Sequence, residues 1–362
     1  MKKIKRKIRN FFYRIFQKIF IILYGKIKYN TNIKKFTHRD LSKDILFEND
    51  KLEYFTYLTP KSRIYTDYIQ NVALIKNNFL VKEGSYQQIN GILSKPDSNS
   101  VIQTGTPRLL KKFNGTICSL VQGISGENYF HWILDILPKF FIVSKNYELA
   151  NIKYFYLPEL KDYQLSTLKI LGINKKKIIN SKVYRHIYSD SIITVDHPWY
   201  KKSYVHSEAV LMPRWIIIWI KKKFLKYKKK FNCSNKIYID RTESKFKHCQ
   251  IINEKEIYNY LKNRGFNKYK VGKLNFFKQI YLFRNAKVII GAHGAAFTNI
   301  IFCKPDTKII EIRPNFHPGK NYERISKINK LDHRTIITKK QLNTEKGDIF
   351  LPLQALKAVL KK

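Results

Sequence analysis

Two short stretches of the chain carry side chains whose types and spacing suit chemistry. The first is KVIIGAHGAAFTNIIF, residues 287–302, where an apolar run meets Gly291 and His293 follows among small residues. A turn from strand to helix needs the glycines but has no need of the imidazole. Backbone N–H groups from Gly291 through Gly294 and Ala295 to Ala296, at the start of a helix, would make an anion site. His293 could donate to a phosphate oxygen there, and Arg241, after the run KIYID, could add a guanidinium fork. The second stretch is GENYFHWILDILPKF, residues 126–140. His131 and Asp135 stand four apart, so a helix sets them on one face. Pro138 would kink that helix or stop it. A carboxylate beside an imidazole on an otherwise apolar helix has its proton affinity set by its surroundings, which suits a general base. Each residue also has a plainer reading. Arg241 could pair with Asp240 or Glu243, Glu311 within KIIEI could be a satisfied strand residue, and His131 could be a core histidine held by its neighbour.

Side chains like these have to be held by regular elements, and the chain alternates them. From Thr116 onward, TICSLVQG reads as a strand and SGENYFHWILDILPKFFIVSK as a turn running into a helix. IKYFYLP is a strand and KDYQLSTLKILGI a helix ended by Gly172; KIIN and SIITVDHPW follow. A long helix is expected from Ser207 to about Lys229. Beyond it, KIYIDR, FNKYKV, KVIIG and TKIIEIRP read as strands separated by helices. The first of these helices has Asn253 as its cap, Glu256 three residues on, and Gly265 as terminator. Strand–helix alternation argues for parallel α/β architecture, and ligands in such sheets sit beyond the carboxyl ends of the strands. Residues 30–110 mix short apolar runs with polar turns and read as strands and loops. The expected organisation is a basic amphipathic segment at 1–29, a lobe at 30–205, a linking helix at 206–232, a second lobe at 233–340 and a terminal helix at 341–362.

Composition narrows the class. The 362 residues are 44% hydrophobic and 14% aromatic, enough for a globular core. Lys and Arg number 70 against 26 Asp and Glu, a net charge of +44 that favours anionic partners. Lys, Ile, Asn, Tyr and Phe are all abundant together, so a coding bias explains the excess equally well. A nucleic-acid-binding protein is the alternative this charge suggests, but the lysines are spread along the chain and no nucleic-acid motif is present. Four cysteines stand far apart with no C-x-x-C pair, arguing against structural zinc and a disulfide scaffold and for a reduced, cytoplasmic setting. No D-x-D occurs. The first helix, MKKIKRKIRNFFYRIFQKIFIILYGK, has too short an apolar run to span a bilayer. Two readings stay open for it: a helix lying on an anionic membrane, on the inner face, or one packed on its own protein with solvated lysines.

HWILDILPKF upstream, with IYIDR, LNFFKQIYLFRNAKVIIGAHGAAFTNIIF and KIIEI downstream, resembles glycosyltransferase family 61, which includes capsular polysaccharide biosynthesis proteins. The resemblance runs over roughly residues 115–315, with Asp-Arg at 240–241 in place of the more usual Ser-Arg. It implies a GT-B fold, two Rossmann-like lobes facing a cleft, with the donor nucleotide on the second and the acceptor mainly on the first. It further implies inverting transfer from a nucleotide-sugar donor to a glycan or lipid-linked acceptor, with no cofactor and no obligatory metal. In that frame Asp135, or as second choice His131, is the base. Arg241, Gly291, His293, Gly294 and Ala295 hold the diphosphate, and Asn299 and Glu311 contact ribose or base.

Overall fold

The computed structural model describes residues 2–29, 38–41, 53–67, 71–81, 84–85, 88–89, 92–93, 108–123, 126, 128–199, 211–242, 248–315, 317, 319–339 and 347–361. The chain is mixed α/β and divides into two compact units, Met1–Val205 and His206–Lys362.

The first unit opens with helix α1 (Lys2–Tyr24). Its sheet takes β1 (Lys28–Tyr29), β2 (His38–Leu41), β3 (Phe55–Thr66), β4 (Val72–Lys76), β5 (Phe79–Val81), β6 (Lys111–Ser119), β7 (Tyr154–Leu157), β8 (Ile178–Asn180) and β9 (His186–Val195). The spatial order is β1-β5-β4-β3-β9-β6-β7-β8, with β2 on β3. Only the wing β9-β6-β7-β8 is wholly parallel. Across β9-β3-β4-β5 the neighbours are antiparallel, so the expected Rossmann-like first lobe is corrected to a mixed sheet. For β4 and β5 the reason is local. Asn77 and Asn78 both sit at positive φ (48° and 63°), the two-residue turn that closes a hairpin, and no crossover helix fits into so short a link.

The parallel wing does have its crossover helices. Between β6 and β7 lies α2 (residues 129–143), built as an α turn at Tyr129–His131, a π-helical stretch at Trp132–Ile136 and an α-helix at Leu137–Val143. The π turn precedes Pro138, which has no N–H to donate and whose ring would strike the carbonyl four residues back in a regular α-helix. Widening the turn relieves both faults, and such bulges recur at functional sites. Between β7 and β8 lies α3 (Asp162–Ile170). Gly172 ends it at φ 78°, with Ile173 N–H donating to Leu168 O and Gly172 N–H to Lys169 O, as the sequence expects.

Among its described residues the second unit holds five strands: β10 (Lys236–Ile239), β11 (Asn267–Tyr269), β12 (Val288–Ala292), β13 (Lys308–Pro314) and β14 (Asp332–Thr338). All pair in parallel in the order β11-β10-β12-β13-β14. Strand interiors such as Ile237–Ile239 and Ile309–Ile310 are buried because helices cover the sheet. The covering helices are α5 (Glu254–Lys262), α6 (Phe276–Asn285), α7 (Asn321–Asn329) and α8 (Leu353–Lys361), preceded by α4 (Arg214–Phe224).

Three local expectations change. The helix expected at Ser207–Lys229 begins at Arg214, because Pro213 keeps the preceding residue out of helical geometry, and it tightens into a 3₁₀ turn at Leu225–Tyr227. Residues 207–210 lie outside the described residues. That helix is bound into the second unit, with Lys221 Nζ donating to Cys303 O (3.0 Å) and Asn329 Oδ1 (3.2 Å). Asn253 makes no side-chain cap on α5. Its amide instead clasps the chain near the C-terminus, donating to Leu351 O at 2.9 Å and accepting from Leu351 N–H at 3.0 Å.

Candidate active site

Strand order fixes where a ligand can enter the second unit. Renumbered along the chain, β11-β10-β12-β13-β14 is 2-1-3-4-5, and the chain reverses direction across the sheet between β10 and β12. In doubly wound sheets the crevice opens at that switch point, beyond the carboxyl ends of those two strands. Arg241 follows β10 and the His293–Ala296 turn follows β12, so two stretches some 50 residues apart meet there. A small pocket open to solvent lies at this place, lined by Tyr238, Arg241, Thr242, Gln250, Glu254 and Ala292.

Arg241 is a cation without a carboxylate partner among the described residues. Its Nη1 donates weakly to Ala292 O (3.5 Å), and its buried Nε has no acceptor among the described residues. The alternative pairing with Asp240 does not form; Asp240 Oδ1 accepts from Thr242 N–H at 2.8 Å. Glu243 lies outside the described residues. An unsatisfied buried donor costs about 1–3 kcal/mol, which an anion at this point would recover. Gly294 is what allows the guanidinium to lie there. A Cβ on Gly294 would fall 1.7 Å from Arg241 Nη1. The segment after His293 is a 3₁₀ helix, Ala295–Phe302, in place of the short α-helix expected. Its first N–H groups have no intrahelical acceptor, and Tyr322 OH fixes the turn by donating to Gly294 O at 2.9 Å.

His293 is buried and its ring is held from behind. Nδ1 bonds Glu311 Oε1, Glu311 Oε2 accepts from His333 Nε2 (3.1 Å), and Ser326 Oγ bonds His333 Nδ1 (2.7 Å). The His317 ring lies 3.9 Å from that of His293, centre to centre. Burial by itself would raise the Glu311 pKa, but hydrogen bonds from the two imidazoles, and their charge, outweigh it and bring it to about 2. Both Glu311 oxygens are thus engaged by imidazoles. Asn299 is likewise buried, its Nδ2 donating to Gln279 Oε1 and Ala296 O at 3.1 Å each.

The Glu311 geometry has a consequence for stability. A carboxylate whose pKa is depressed on folding stabilises the native state above its ordinary value and loses that contribution as pH falls. Here the window runs from about pH 4.5 down to about 2, and the shift corresponds to about 3 kcal/mol. Glu311→Gln is therefore expected to lower stability at neutral pH and to flatten this acid-side loss in a denaturant titration. Variant and wild-type curves running parallel from pH 5 to 2 would contradict the linkage.

The first unit gathers a different constellation at the carboxyl ends of its parallel neighbours β6 and β9. Gln122 follows β6; His197 and Trp199 follow β9; His131 and Asp135 come from α2. Asp135 is 1% exposed. Oδ2 accepts from His131 Nδ1 (2.8 Å) and Gln122 Nε2 (2.9 Å), with His197 Nε2 at 3.5 Å, and Oδ1 accepts from Trp199 Nε1 (2.9 Å). Burial favours the neutral acid, but the charges and hydrogen bonds of His131 and His197 outweigh it and hold Asp135 well below the usual carboxylate range. Lys139 donates to Gln122 Oε1 and so turns the amide N–H₂ toward Asp135. Burial brings the Lys139 pKa down to about 8, against the opposing pull of Asp135. The His131 side chain is the more accessible of the dyad, 12% exposed against 2%.

Gln122, His197, Trp199, Ser326, His333 and His317 all escape the sequence reading. The first three had a usable signal, since each follows an apolar strand at the end where ligands bind. His333 sits inside a strand with nothing around it to mark it.

The second unit is thus a parallel α/β sheet with a buried guanidinium and a carboxylate-backed imidazole near its switch point, the place where sheets of this class bind ligands. Residues 129–310, half of the chain, match the family model described as Glycosyltransferase 61, and the chain belongs to that family. It is also similar to the β-1,2-xylosyltransferase RCN11 of Oryza sativa subsp. japonica, 30% identical over 97 residues. That alignment covers 24% of this chain and 18% of the rice protein, less than a fifth of its length.

Proposed function

We propose that the protein is an inverting glycosyltransferase of the GT-B type, moving a sugar from a nucleotide donor to a hydroxyl of a glycan or lipid-linked acceptor in the synthesis of a surface polysaccharide such as a capsule. The observation that carries the reading is Arg241, a buried cation with an unsatisfied Nε at the switch point of the second unit. A nucleoside diphosphate supplies the anionic acceptors that this place lacks. Its phosphates lie against Arg241, the Gly294–Ala296 N–H groups and His293, and negative charge on the departing diphosphate is met by donors already fixed in place.

The base in this reading is His131, with Asp135 behind it, which reverses the order of preference given by the sequence. Asp135 is closed to solvent and its oxygens already accept four donors, so it is a weak and unreachable base. It instead receives His131 Nδ1–H and so leaves Nε2 as the lone pair, the role a carboxylate plays behind an imidazole in hydrolytic triads. The acceptor oxygen forms its bond to the anomeric carbon as the bond to the diphosphate oxygen breaks. Its proton passes to His131 Nε2, and the leaving diphosphate keeps the electron pair. The transition state is oxocarbenium-like.

A panel of UDP-, GDP-, CMP- and dTDP-sugars tests the class. One donor is expected to raise the melting temperature and release its nucleotide in the presence of acceptor. Absence of stabilisation by every nucleotide sugar and every free nucleoside diphosphate would overturn it.

A further inference from the structure

Helix α1 carries the basic and apolar pattern that the sequence left with two readings, and its exposure separates them. Ile8, Phe11, Phe12, Ile15, Ile19 and Ile22 recur at helical spacing along one stripe, and all are exposed, Phe11 at 62% and Ile22 at 83%. The side of the helix that does pack is a different one. Phe20 is buried and stacks on Tyr24, whose ring meets His186 edge-on. Arg63 Nη2 donates to Tyr24 O (3.0 Å), and Leu110 N–H donates to Tyr24 OH (3.0 Å). The C-terminal turn is thus fastened to the first unit while the apolar stripe faces away from it.

Charge decides what covers that stripe. The helix contains eight Lys or Arg and no acidic residue, and Arg14 and Lys18 are exposed. A second copy docking through the same stripe would bring the two sets of cations together. No helix among the described residues is long and apolar enough to cross a membrane. What satisfies both halves of the pattern is a planar surface, apolar just beneath an anionic layer. We infer that α1 lies in the plane of an anionic lipid bilayer, with its Ile8–Ile22 stripe in the acyl boundary and its cations among the headgroups. The inference stands on the helix alone and does not need the transferase reading.

The full chain is tested by sedimentation with vesicles of phosphatidylcholine alone and of phosphatidylcholine with phosphatidylglycerol. Binding is expected to the anionic vesicles, weakly if at all to the neutral ones, and to fall as salt rises. Phe12→Asp and Ile19→Asp, at exposed positions, are expected to weaken it at least tenfold while leaving the far-ultraviolet circular dichroism and nucleoside diphosphate binding unchanged. Wild-type binding in those variants, equal binding to neutral vesicles, or no vesicle binding would each overturn the inference. So would a dimer that dissociates on Phe12→Asp, which would give the stripe to a second copy.

Discussion

His131→Ala is expected to lower turnover by about 10²–10⁴-fold, the usual worth of a positioned base, while nucleoside diphosphate affinity stays at the wild-type level. The expectation follows from the environment of the dyad. Asp135 accepts from His131, Gln122 and Trp199, has His197 beside it, and is held far toward its ionised form. A carboxylate so well satisfied has little proton affinity left, whereas His131 is the more exposed partner. Asp135→Asn separates the roles. It leaves the imidazole in place but puts an N–H₂ group among four donors, so it is expected to lower both turnover and stability, because a buried polar group then faces like groups. His131→Ala removes a less buried ring and is expected to leave the fold intact. Full turnover in a folded His131→Ala protein, measured as nucleotide release, would return the base to another residue.

Arg241→Ala is expected to weaken nucleoside diphosphate binding by about 10- to 150-fold, since a hydrogen bond to a charged group contributes about 1.5–3 kcal/mol. Stability is expected to change little or to improve, because the side chain carries an unsatisfied buried donor in the free protein. A second variant reaches the same group without touching it. In Gly294→Ala the new Cβ would displace the guanidinium from the glycine it lies against. The two substitutions should therefore weaken binding alike and fail to add when combined, as expected of changes that act on one group. Additive losses, or undiminished binding in either variant, would mean that Arg241 does not hold the ligand.

How much of this the sequence discloses depends on distance along the chain. The second unit is legible because each strand is an apolar run ended by a helix start, and a parallel sheet buried on both faces enforces that pattern. The His293 turn and Arg241 stand out for the same reason, at the ends of such runs. The His131–Asp135 pair is legible because helical spacing brings them together within one turn. What surrounds them is not. Gln122, His197 and Trp199 reach Asp135 only because β6 and β9 are neighbours, and sequence periodicity carries no information about which strands pair. The same holds for His333, which joins His293 through Glu311 across adjacent strands. In residues 30–110, read from the sequence only as strands and loops, the hairpin at Asn77-Asn78 had a readable signal in two adjacent residues tolerant of positive φ.

The most direct test is calorimetric titration of the full chain with UDP, GDP and dTDP in three forms: wild type, His131→Ala and Arg241→Ala. Binding of one nucleotide to the first two with equal affinity, and markedly weaker binding to the third, is the predicted result. Equal affinity in all three, or no binding by the wild type to any of these nucleotides, would contradict a diphosphate held at the β10–β12 switch point.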